Sequence, residues 1–163
     1  MDNLKQHDQL WNGITKALNN LSYIAAGAIS LSISFLGYIL SINPSVRYIL
    51  RLPISNIPTI YVLFLSWFLL LLTIFFGIIA QFIIERYLFN SQTALLFEDS
   101  KKYVKDEDKK NVDSVVDPAK ASAEKYRVVS RWIQGITVTS FALGILTLAI
   151  FAIIVSNGLV NIQ

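Results

Sequence analysis

Catalysis requires titratable or nucleophilic groups held in a protected place, and this sequence carries few of them. It has one histidine, His7, and no cysteine, which excludes thiolate nucleophiles, disulfides and thiolate metal sites. A serine–histidine pair would require His7 to meet a serine deep in an apolar helix, and none is expected. Metal centres draw on clustered His, Asp or Glu. The one dense acidic run, Asp106, Glu107 and Asp108, is flanked by Lys105 and Lys109, the pattern of a solvated loop. There is no glycine-rich phosphate loop. Ion-coupled transporters keep an ionisable group at mid-membrane. No Asp, Glu, Lys, Arg or His lies between Lys16 and Arg47, between Arg51 and Glu85, or after Arg131. Neither an enzyme nor a coupled transporter is expected, and no cofactor.

Those uncharged gaps are the strongest feature of the sequence. Apolar residues make up 54% of the chain and charged residues 15%, against about 25% charged in soluble domains. Each gap exceeds the roughly 20 apolar residues that a membrane span needs. Three such helices cannot be hidden in one soluble core of this length, because too little polar surface remains to cover them. The expected fold is an all-α integral membrane protein with three transmembrane helices. An N-terminal amphipathic helix precedes them, and a cytoplasmic antiparallel helical hairpin extends spans two and three. The net charge of +3 does not indicate nucleic acid, since the segment that holds most cations also holds most anions.

Along the chain, residues 1–21 are read as the amphipathic helix. Leu4, His7, Leu10, Trp11, Ile14, Leu18 and Leu21 recur at steps of three and four. Two placements stay open for it: in the headgroup region, or packed on the protein's own cytoplasmic helices. The first span is 22–42. Its apolar run begins near Tyr23, too late and too long for a cleaved signal. Residues 43–58 form a short external connection punctuated by Pro44, Pro53 and Pro58, with an interfacial helical turn expected over 45–52. The second span is 59–83. The hairpin is 84–132 with a mobile loop at 105–117, and Asp117-Pro118 supplies a helix start: a carboxylate at the cap and proline in the first turn. The third span is 133–155 and the external tail 156–163.

Lysine and arginine bias sets orientation. Two precede the first span, ten lie between the second and third, and only Arg47 and Arg51 lie on the opposite side. The N-terminus is expected inside and the C-terminus outside, in an inner or plasma membrane.

Small residues form stripes on each span: Gly27, Ser30, Ser34, Gly37 and Ser41 on the first, Ser66, Thr73, Gly77 and Ala80 on the second, and Thr137, Ser140, Gly144 and Thr147 on the third. Small residues let helices approach closely in lipid. The stripes fit packing within the chain, self-association, or a hydroxyl-lined lumen formed by several copies. At the inner boundary, Gln81 is expected to bond Gln134, and Glu85 to pair with Arg131. The functional expectation is a non-enzymatic membrane scaffold or accessory subunit that presents its hairpin to a protein partner. The alternative is an oligomeric pore or membrane-permeabilising effector lined by the Ser/Gly face of span one.

Overall fold

Three helices account for nearly all of the computed structural model, which describes residues 2–42, 53–54, 57–105 and 108–160. Helix α1 is Asp2–Ile42, α2 is Thr59–Ser100 and α3 is Lys109–Val160. Two-residue strands β1 (Pro53–Ile54) and β2 (Ile57–Pro58) pair antiparallel just before α2. At 1.5 Å per residue each helix is about 60 Å long or longer, twice a hydrocarbon core of about 30 Å. All three contain a stretch long and apolar enough to cross a membrane, within Trp11–Tyr38, Thr59–Ser100 and Lys109–Asn157. Helix is the form such segments must take, because it satisfies every backbone N–H and C=O inside the segment. The turn expected over 45–52, the residues Asp106 and Glu107, the side chain of His7 and the last three tail residues lie outside the described residues.

Two compact units make up the chain. The first comprises residues 1–19 and 77–135, the second residues 20–76 and 136–163. In the first, Trp11 and Leu18 of α1 are buried against Ala80, Ile84 and Tyr87 of α2 and Ala123 of α3. Ion pairs join α2 or the turn after it to α3, Glu98 to Lys120 and Lys101 to Asp113, so the partners descend along α2 as they rise along α3. In the second unit, Leu63 of α2 is buried against Phe151 and Val155 of α3, with Leu36 and Leu40 of α1 packed alongside.

A seam of steps of four and three runs along α2. Thr59, Leu63, Ser66, Leu70 and Thr73 are buried in the second unit, and Gly77, Ala80, Ile84 and Tyr87 in the first. Helix α3 has the same seam, with Val116, Ala119, Ala123 and Ser130 in the first unit and Thr137, Ser140 and Gly144 in the second. This 3.5-residue period is that of helices packed knobs-into-holes. Phe64, Phe68, Phe75 and Phe82, off that seam, are exposed.

Two elements differ from the sequence expectation. Helix α1 runs unbroken through residues 21 and 22, so no break separates an amphipathic helix from a span. Helix α3 starts at Lys109, making most of the expected 105–117 loop helical, with Pro118 inside the helix. The start signal at Asp117-Pro118 is local and yields to packing: Val116, 1% exposed, and the half-buried Val112 continue the seam one turn and two turns before Ala119. Proline removes the hydrogen bond to the carbonyl four residues back. Here that carbonyl belongs to Ser114, and both residues are exposed.

Candidate functional site

The small-residue faces are the features most open to a functional role, and the two helices that share a seam use them differently from α1. In the second unit the Ser66 hydroxyl donates to the Gly144 carbonyl at 2.8 Å. A Cβ on Gly144 would come within 2.9 Å of the Leu70 side chain and 3.3 Å of the Leu70 backbone nitrogen. Glycine here is what allows α2 and α3 to touch. Thr73, also fully buried, donates to the Leu69 carbonyl at 3.1 Å, which satisfies its hydroxyl within its own helix.

On α1 the stripe faces outward. Gly27, Ser30, Ser34, Gly37 and Ser41 are all exposed, and a Cβ on Gly27 or Gly37 would meet nothing within 4 Å. The packing side of α1 is instead Trp11, Leu18 and Ala25, all buried, followed by the half-buried Ser32 and Leu36. Two residues along a helix is a rotation of about 200°, which puts Gly27 nearly opposite Ala25. The heptad from Trp11 through Leu18 and Ala25 to Ser32 was the sequence signal for this face. Its mixture of an indole, two aliphatic residues and a serine hid it behind the more uniform Gly/Ser stripe. Ser32 anchors the contact, accepting from the Trp67 indole N–H at 2.7 Å and donating to the Ile29 carbonyl at 2.8 Å. On the exposed face, Ser34 donates to the Ser30 carbonyl and Ser41 to the Tyr38 carbonyl, so both hydroxyl protons are already used.

The first unit holds most of the charged and amide residues. Trp11 meets Tyr87 in a tilted ring contact, centroids 4.7 Å apart and planes at 53°. The expected Gln81–Gln134 bond is not formed. Gln81 donates to the Asn19 side chain and Gln134 to the Ser130 hydroxyl at 2.8 Å. The reason is the arrival of α1, which brings an amide acceptor beside Gln81 and leaves Gln134 to bond one turn back along α3. Glu85 and Arg131 are both exposed, and no ion pair joins them among the described residues. Further along, Lys102 pairs with Asp99 at 2.8 Å and Arg127 with Glu124 at 2.6 Å. The bond from Lys102 holds the Asp99 carboxyl below its usual range, and the reciprocal bond raises Lys102. Asp113 raises Lys101 in the same way. These pairs are wet, where such contacts are weak. No group of three His, Asp or Glu side chains converges among the described residues.

The class defined by this architecture is an all-helical protein with three helices suited to cross a membrane. Compared with known protein families, with characterised proteins and with solved structures, the chain matches none.

Proposed function

We propose that this protein is a non-enzymatic membrane scaffold or accessory subunit. In this reading α1, α2 and α3 cross the bilayer with the N-terminus cytoplasmic and the C-terminus external. The spans are 22–42, 59–83 and 133–155, and residues 84–132 form a cytoplasmic hairpin. The excess of lysine and arginine on one side supports the orientation. The observation that carries the reading is an apolar ridge on the hairpin. Phe89 and Leu96, seven residues apart and hence on one face of α2, are 65% and 72% exposed, and Phe97 beside them is 42% exposed. Glu85, Arg86, Gln92 and Asp99 surround the ridge in sequence. Large apolar side chains left in water among charges mark a surface that a protein partner covers.

A photo-crosslinking residue at position 96 tests this in cells. The expected result is a discrete heterologous adduct that Phe89→Ser abolishes while insertion is retained. Absence of an adduct, or one that Phe89→Ser leaves intact, overturns the reading.

A second reading, self-association through α1 with or without a lumen, is favoured by the outward-facing Gly27, Ser30, Ser34, Gly37 and Ser41. Particle mass in nanodiscs decides it. A ring-sized oligomer lost on Gly27→Leu supports it, and a monomer removes it.

A further inference from the structure

We propose that Lys16, Arg86 and Arg131 form a collar that binds the phosphate groups of anionic phospholipids. All three belong to the first unit, and its contacts bring them to a common level. Trp11 packs its ring on Tyr87 while Asn19 accepts a hydrogen bond from Gln81. Lys16 therefore lies along α1 between two points fixed against α2, in the same stretch as Arg86. Helices α2 and α3 run antiparallel, with Glu98 against Lys120 and Lys101 against Asp113, so Arg131, farther along α3, comes opposite the stretch of α2 near Arg86, and Ile133 packs on the cluster that contains Ala80, Ile84 and Tyr87.

Each of the three cations is exposed, and none has a carboxylate partner among the described residues. Farther from this level most cations have acidic neighbours, exposed Lys125 being the exception. Lys101, Lys102, Lys120 and Arg127 are held by Asp113, Asp99, Glu98 and Glu124, and Lys105 and Lys109 flank the acidic run Asp106, Glu107 and Asp108. Glu85 is the one acid at the collar among the described residues, and it too is exposed, so positive charge is in excess there. Phe82 and Trp132, 65% and 73% exposed, stand one turn from Arg86 and next to Arg131. An apolar ring edge beside a cation is how a chain meets the boundary between hydrocarbon and headgroups. Cations unmatched by protein at that boundary are matched by lipid phosphate.

The inference rests on the membrane boundary near residues 83 and 133. The test is native mass spectrometry of the full chain, released from equimolar phosphatidylglycerol and phosphatidylcholine. Phosphatidylglycerol adducts are expected to dominate, with enrichment falling roughly fivefold for each cation removed in Lys16→Gln, Arg86→Gln and Arg131→Gln. Arg86→Lys retains the enrichment, and Lys101→Gln with Lys120→Gln leaves it unchanged. Equal binding of the two lipids overturns the proposal, as does an equal loss in the Lys101 and Lys120 variants. Displacement of the lipid by millimolar inorganic phosphate also overturns it, by making the site one for free phosphate. Because the chain has no cysteine, Phe82→Cys and Asp99→Cys check the boundary separately with a membrane-impermeant maleimide. Equal labelling of both means that the boundary is misplaced. Protection of Phe82→Cys without lipid selectivity means that the collar itself is wrong.

Discussion

Gly144 on α3 and Gly27 and Gly37 on α1 are the same residue type in similar apolar helices, yet they occupy opposite environments. Beside Gly144, an added Cβ would lie 2.9 Å from Leu70, whereas beside Gly27 and Gly37 it would meet no atom within 4 Å. One glycine allows a helix contact inside the chain. The other two are left on a face that the chain itself does not cover. Hydrogen bonding follows the same division. Ser66 reaches across to the Gly144 carbonyl, while Ser34 and Ser41 bond back to their own helix. Small-residue stripes in membrane helices therefore need their neighbours before their role can be assigned.

The comparison is broken most severely at Gly144. Gly144→Val is expected to cost about 1–3 kcal/mol through overpacking against Leu70, read by steric trapping in bicelles. A neutral result would mean that the notch is not a close contact. Ser66→Ala comes next, with a loss of about 0.6 kcal/mol and at most about 1.7, the range for hydrogen bonds between helices in membranes. Gly27→Ala and Gly37→Ala carry the opposite sign. With no neighbour to strike, each is expected to leave the monomer unchanged or more stable by up to about 1 kcal/mol, from helix propensity alone. Destabilisation of the particle but not of the monomer would show that this face is covered by another chain.

The smallest expected effect is that of pH on the turn after α2. Lys102 lowers the Asp99 pKa, so that pair's contribution is present above the ordinary carboxylate range and lost as pH falls through the lowered value. Lys101 and Lys102 are raised, so their contributions are intact below the lysine range and lost as pH rises through the raised values. Amide exchange around 97–102, corrected for intrinsic rates, is expected to be flat near neutrality and faster at both extremes. Both partners of the Asp99–Lys102 pair are largely exposed, so the change is slight.

The three apolar helices were legible because a bilayer demands uninterrupted apolar length, and gaps in charge reveal that length directly. The packing seam of α2 was partly legible: Ser66, Thr73, Gly77 and Ala80 all lie on it. The start of α3 was not. Asp117 and Pro118 are strong local signals, but the burial of Val116 and the pairing of Asp113 with Lys101 extend the helix back to Lys109. The Gln81–Gln134 pairing failed for a related reason. Similar depth on two helices was visible in the sequence, but the approach of Asn19 from α1 was not.

The sequence by itself determined the number of apolar helices and where charge could not lie, because desolvation of backbone and charge acts on each segment independently. Only the tertiary structure decided which face of each helix is covered. Trp11, Leu18 and Ala25 turn inward and Gly27 outward because helix rotation is set by the best joint packing of three surfaces. No single stripe holds that information.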